Sequence, residues 1–164
     1  MYRLITFETR LDNLIQILSP LGEFPSLELL VLGQTSSLIH NAAKIYFYTS
    51  LHAAQPSTHI VRCLVIEQIG ILRSIDAMRS AHLWSIFVTA LYALGDDERM
   101  FFLDTFAKLE AVSSTRSATQ AAQSIVQTVW KRRDFEVILE PSSNKVVSDW
   151  VKYIRPLSEG LSLA

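Results

Sequence analysis

Four histidines are the residues most able to hold a metal ion, and their spacing argues against such a site. They are His40, His52, His59 and His82. No two of them lie three or four residues apart, the spacing that places two imidazoles on one helix face. Cys63 is the only cysteine, whereas a cysteine-rich zinc module needs several thiolates at short spacing. We therefore predict no metal site and no other cofactor.

Two charged clusters could support acid–base chemistry, but both suit helix ends better. The acidic run Asp96 to Glu98 falls at a predicted helix N-terminus, where the macrodipole and unpaired N–H groups favour carboxylates. The basic run Lys131 to Arg133 falls in a predicted last helical turn, where the same dipole favours cations. Neither a Gly-x-Ser-x-Gly elbow nor a glycine-rich phosphate loop occurs. The sequence therefore predicts no catalytic residue and no enzyme.

The composition favours one folded, intracellular domain over residues 1–164. Hydrophobic residues make up 49% of the 164, which is enough for a sizeable core. The net charge of -1 does not match the basic surface that DNA binding needs, so we expect no direct DNA binding. The single cysteine fits a reducing compartment. We expect neither a signal peptide nor a membrane span, since the most apolar stretch, Leu83 to Leu94, is too short.

The positions of apolar residues predict an all-α fold of about six to eight helices. Apolar residues recur at intervals of three and four, and sustained alternation is absent. The first predicted helix is residues 4–18, and one or two helices follow from Ser26 to Gln55, ended by Pro56. The third helix is capped by Ser57 or Thr58, and the next spans Asp76 to Leu94. The last three are a helix capped by Asp96, a helix after Ser113 to Thr115, and a short helix after Pro141.

The helix predicted from Asp76 to Leu94 is apolar almost all round, which is typical of a helix surrounded by others. We therefore expect it at the centre of the fold, followed by Gly95 as a left-handed stop. Trp84 lies in its most apolar part and is predicted to be buried. On that basis Trp84→Ala would cost about 3–5 kcal/mol of stability.

Several short segments, in order, resemble the fungal-specific transcription factor domain that follows the DNA-binding zinc cluster in many regulators. The first is Asn41 to Tyr46, similar to that family's Ala-x-x-x-Tyr helix, and the second is His82 to Val88, similar to its Leu-Trp-Pro-Leu-Phe segment. The pair Glu98-Arg99 and the pair Val129-Trp130, with Asp134 four residues later, complete the resemblance. Two departures stand out: Ser85 replaces the usual proline, and Thr89 to Ala93 replaces a usual glycine and glutamate.

The resemblance implies an all-helical regulatory region that acts in the nucleus and controls transcription through other parts of a longer protein. Trp84, Arg99, Trp130 and Asp134 are the matched positions, and we expect them to be structural. The chain lacks the family's six-cysteine cluster. It is therefore expected to be a fragment of a regulator or a truncated relative.

The implied partners are proteins of the transcription machinery or a second copy of the chain, together with a sterol-like or other apolar small molecule. A pocket for such an effector would be lined by Tyr46, Phe87, Leu91, Phe102 and Phe106, because a sterol-sized ligand needs a mostly apolar cavity. The alternative function is a stand-alone helical interaction module with no transcriptional role.

Overall fold

The computed structural model describes residues 9–10, 26–112 and 116–139, and every regular element within these ranges is helical. The elements are α1 (Ser26–Leu51), α2 (His59–Arg73), a 3-10 turn (Ser80–His82), α3 (Leu83–Ala90), α4 (Asp96–Val112) and α5 (Arg116–Leu139). The predicted all-α class is confirmed, with five α-helices in the described ranges against a predicted six to eight. The helices predicted at 4–18 and after Pro141 lie outside the described residues, except that Thr9 and Arg10 are helical.

The shortest helix, α3, joins two helix pairs. α1 packs against α2 and α3, α4 packs against α5, and α3 contacts both α4 and α5. Its central position agrees with the sequence analysis. The largest fully buried side chains of the shared core are Tyr92, Phe102, Phe106, Leu38, Ile45, Ile86, Leu91 and Leu109.

α1 is one continuous helix through its polar segment, where the sequence allowed either one helix or two. Gln34 Nε2 donates to the backbone carbonyl of Ser74 at 3.2 Å, just after α2 ends. Thr35 Oγ1 donates to the carbonyl of Val31 at 2.8 Å within α1. The polar run therefore forms tertiary and local hydrogen bonds instead of interrupting the helix.

α1 ends at Leu51, four residues before the predicted end at Gln55. Ala53 has a φ of 50°, and it is the one non-glycine residue of the described ranges in the left-handed region. This conformation turns the chain so that the Ala54 N–H donates to the Tyr48 carbonyl at 3.1 Å. A left-handed alanine, and not Pro56, thus ends the helix.

The predicted helix from Asp76 to Leu94 is wrong in length, because α3 spans only Leu83–Ala90. The prediction for Gly95 is wrong as well, since no glycine of the described residues has a positive φ. Because α3 has already ended, Gly95 belongs to the start of α4, where its carbonyl accepts the Arg99 N–H at 3.0 Å. The acids from Asp96 to Glu98 do lie in the first turn of α4.

The basic run Lys131 to Arg133 does not lie in the last turn of α5, which continues to Leu139. Macrodipole pairing at the helix end is therefore the wrong explanation for these residues. Arg133 is 8% exposed and donates to the carbonyl of Leu91, so at least this cation is placed by a tertiary contact.

His82 anchors the 3-10 turn to α1 and is 1% exposed. The Arg79 backbone N–H donates to His82 Nδ1 at 3.2 Å, so the ring proton lies on Nε2. Nε2 is 3.0 Å from Thr35 Oγ1, which in turn donates to the Val31 carbonyl. Burial lowers the pKa of His82, and the positive charge of Arg79 lowers it further. The fold therefore requires a neutral imidazole.

We predict that acid weakens the fold through His82. Its pKa is lower in the folded chain than in the unfolded chain, so its contribution is complete above the ordinary histidine pKa of 6.5. The contribution is lost as the pH falls from 6.5 toward the folded pKa. Urea unfolding at pH 7 and pH 5 should show a larger loss for the wild type than for His82→Gln. Equal losses in the two proteins would contradict this prediction.

Candidate functional site

The best-defined polar site surrounds the point where α3 ends. The last carbonyls of a helix have no partner within the helix and need one elsewhere. Trp130 Nε1 donates to the Ala90 carbonyl at 2.8 Å, and Arg133 Nη2 donates to the Leu91 carbonyl at 2.8 Å. We call residues 90–94, with the side chains that bind them, the α3 junction. Two side chains of α5 thus cap α3.

A third donor reaches the α3 junction from α2. Arg62 Nη1 lies 3.3 Å from the Tyr92 carbonyl, and the same guanidinium forms an ion pair with Glu98. The second carboxylate oxygen of Glu98 accepts the Leu94 N–H at 3.0 Å. Both side chains of the pair are only about a fifth exposed, at 21% and 19%. Glu98 therefore balances a largely buried charge and fixes the chain entering α4.

The fourth attachment of the α3 junction is to α1. Tyr92 is 1% exposed, and its hydroxyl donates to Thr49 Oγ1 at 2.8 Å. Thr49 Oγ1 donates in turn to the Ile45 carbonyl at 2.8 Å. Side chains of α1, α2, α4 and α5 thus meet one five-residue segment, and each polar contact replaces a partner that water would otherwise supply.

Three of the four family-like positions lie together on α4 and α5. Arg99 makes two hydrogen bonds to the Asp134 carboxylate, at 2.8 and 2.7 Å, and its guanidinium lies 5.5 Å from the centroid of the Trp130 ring. These hydrogen bonds lower the pKa of Asp134 and raise the pKa of Arg99, while partial burial acts in the opposite direction on each. The sequence named these residues but did not establish which of them pair.

Trp84 does not join this group, and the prediction that it is buried is wrong. The residue is 45% exposed. The inner face of α3 is occupied by smaller side chains, including Ser85 and Thr89, which are fully buried. Since α3 begins only at Leu83, Trp84 lies in its first turn, directed away from that face. The predicted loss of about 3–5 kcal/mol on truncation therefore has no physical basis here.

The predicted effector-pocket residues divide into two groups. Leu91, Phe102 and Phe106 are at most 1% exposed and belong to one core cluster, with Phe87 packed against it. Tyr46 is 43% exposed on α1 and lies outside this cluster. Four of the five residues thus share one apolar environment.

Sequence reasoning did not identify the roles of Arg62, Glu98 and Arg133 at the α3 junction. One signal could have revealed Arg133, since it lies three and seven residues after the buried Trp130 and Val126 on the same face of α5. A cation on an apolar face has to find a buried partner. Nothing comparable in the sequence marks Arg62 or Glu98.

The described residues contain neither a cluster of metal ligands nor a membrane-spanning helix. No group of three or more histidine, cysteine or acidic residues that could hold a metal occurs among the described residues. Cys63 Sγ lies 3.7 Å from His59 Nε2 one helical turn away, which makes only a pair. None of the helices between residues 26 and 139, as far as described, has the length and apolarity to span a membrane.

Comparison with known proteins gives one family. The model of the fungal specific transcription factor domain matches residues 3–164. Comparison with curated proteins gives no match, and comparison with solved structures gives none either.

Proposed function

The chain belongs to the family of fungal-specific transcription factor domains, and we propose that it is a transcription-regulatory helical domain working through protein partners in the nucleus. In this proposal it supplies no DNA-binding module of its own, in keeping with a net charge of -1 and a single cysteine. Its polar side chains at the α3 junction are engaged in holding helices together. We therefore place its partner-binding activity on its outer surface.

The observation that carries this proposal is the exposure of Trp84. An indole that is 45% exposed leaves apolar surface in water, and tryptophan is enriched at the centres of protein interfaces. It lies at the start of α3, whose other end is fixed by the α3 junction. Trp84 is thus presented on a rigid support, which suits partner binding.

We predict that the chain changes reporter transcription when it is brought to a promoter. The full chain would be fused to an unrelated DNA-binding module, and reporter output compared with that of the module alone. A change in output, in either direction, is the expected result. The untethered chain should have no effect, because it does not bind the promoter by itself. No change with the fusion, in a chain shown to fold, would favour the alternative of an interaction module without a transcriptional role.

A finer proposal is that an apolar small molecule, such as a sterol, binds beside Phe87, Leu91, Phe102 and Phe106. Their shared apolar surroundings favour this chemistry. A ligand that binds only the folded state raises stability by about 2.7 kcal/mol at a hundredfold excess over Kd. A thermal-shift screen with sterols should therefore raise the melting temperature of the wild type.

Two variants test whether a ligand that raises the melting temperature binds at this cluster. Phe87→Ala, at the edge of the cluster, should reduce the thermal shift, whereas Tyr46→Ala, outside the cluster, should retain it. If no apolar compound shifts the melting temperature of the folded wild type, the effector proposal fails and partner binding remains.

A further inference from the structure

Two buried amide side chains between α1 and α2 each have one atom without a hydrogen-bond partner among the described residues. Gln68 of α2 is 0% exposed, and the atom in question is Oε1. Asn41 of α1 is 6% exposed, and the atom is Nδ2. A polar group that loses water on burial and gains no partner destabilises the fold. Because Oε1 accepts and Nδ2 donates, one small group that does both would satisfy the two atoms.

The orientation of the Gln68 amide is determined by its one hydrogen bond. Nε2 donates to the backbone carbonyl of Leu38 on α1 at 3.0 Å. A carbonyl accepts and does not donate, so the amide atom that faces away from Leu38 has to be the oxygen. The buried residues one turn away on the same helix, Leu64, Val65 and Leu72, are apolar and offer no side-chain donor. Oε1 therefore needs a donor from another source.

The antiparallel packing of α1 and α2 brings Asn41 to the same level as this amide. Gln34 contacts the turn that follows α2, and further along α1 the Leu38 carbonyl contacts Gln68. The same progression places Asn41, one turn after Leu38, opposite residues 64–65. Helical side chains lean toward the N-terminus of their own helix, which in this pair means toward each other. The two amides therefore converge on one space between the helices.

We propose that an internal water molecule binds in this space, accepting a hydrogen bond from Asn41 Nδ2 and donating one to Gln68 Oε1. Buried waters typically make about two to four hydrogen bonds to polar groups that have no other partner. A hydrogen bond through such a water is nearly as favourable as a direct one. The water thus joins α1 to α2 beside the core. The site is independent of the proposed transcriptional role.

A direct hydrogen bond between the two amides is the alternative, and it fits the structure less well. No such bond is present, since both atoms are without a partner. Turning the Gln68 amide toward Asn41 would also take Nε2 away from the Leu38 carbonyl, so one hydrogen bond would be exchanged for another. A bridging water leaves the bond to Leu38 intact and satisfies both remaining atoms.

Nuclear Overhauser effects (NOEs) between water and methyl groups of the purified full chain test the proposal. Methyl protons do not exchange with solvent, so a water NOE at a buried methyl reports a water held beside it. The methyls of Leu38 and Val65, both 0% exposed, should show NOEs with the sign of a water that tumbles with the protein. Val126, equally buried on α5, is the internal reference and should show none.

A double variant and a matched control identify the groups that hold the water. Asn41→Leu combined with Gln68→Met replaces both amides by apolar side chains of similar size, and should abolish the water NOEs at Leu38 and Val65. Gln34→Met removes a different amide contact, the one to the turn after α2, and should retain them. Circular dichroism establishes that each variant is folded.

Two results would overturn the proposal. One is the absence of water NOEs at Leu38 and Val65 in the folded wild type, which would leave the two amides to bond to each other. The other is unchanged NOEs in the folded double variant, which would assign the water to other groups. The first result requires no variant, so it decides the matter even if the double variant does not fold.

Discussion

Trp130→Ala is expected to lower the free energy of unfolding by about 3–5 kcal/mol. Trp130 is 5% exposed in the core, so its removal leaves a large cavity. Truncation also removes the side-chain donor to the Ala90 carbonyl and the ring under the Arg99 guanidinium. Urea unfolding followed by circular dichroism would measure the loss.

Two further variants separate the loss of core packing from the loss of the hydrogen bond in Trp130→Ala. Trp130→Phe retains an aromatic ring but removes one of two donors to the Ala90 carbonyl, which keeps the Ala93 N–H at 3.1 Å, and should cost about 0.5–1.5 kcal/mol for the lost hydrogen bond. Trp84→Ala is the matched control, because Trp84 is 45% exposed, and should change stability by about 1 kcal/mol or less. If Trp84→Ala destabilised the chain as much as Trp130→Ala, the assignment of Trp130 to the core and Trp84 to the surface would be wrong.

Glu98→Ala is expected to have the second-largest effect, a loss of about 2–3 kcal/mol. It leaves the largely buried Arg62 guanidinium without its counter-charge and the Leu94 N–H without its acceptor. Some solvent reaches both charged groups, so the loss should stay below that of a fully buried pair. Urea unfolding of the single variant is the measurement.

A double-mutant cycle with Arg62→Met gives the part of this loss that comes from the ion pair. The double variant should be less destabilised than the sum of the two single variants, since neither charge is then left alone. Arg116→Ala is the control, because Arg116 is 71% exposed in its pair with Glu110 and should cost about 0–1 kcal/mol. Additive losses in the cycle would show that Arg62 and Glu98 act independently.

The helices themselves could be predicted from the sequence because local periodicity largely determines them. α2 and α4 begin where the apolar pattern and the flanking polar residues place them. The limits of α3 could not be predicted, because tertiary contacts determine them. One end follows from His82 bonding to α1, and the other from donors on α2 and α5. A single sequence contains no direct record of such contacts.

The two tryptophans illustrate the same limit at the site. Trp84 and Trp130 both lie among apolar residues at helical spacing, so the sequence favours burial for each. Their burial differs because Trp84 lies in the first turn of α3, directed away from the face that carries the buried Ser85 and Ile86, whereas Trp130 is 5% exposed in the core. The resemblance drew attention to Arg99, Trp130 and Asp134, and Arg99 is far from the other two in sequence. Their contacts became evident only from the packing of α4 against α5.

The central claim is that this domain acts through its outer surface while the α3 junction holds the helices in place. The most direct test is the reporter output of the tethered chain with Trp84→Ala, together with its free energy of unfolding. Our account predicts that Trp84→Ala moves reporter output toward that of the DNA-binding module alone, with stability changed by about 1 kcal/mol or less. Unchanged reporter output from a folded Trp84→Ala chain would contradict the account.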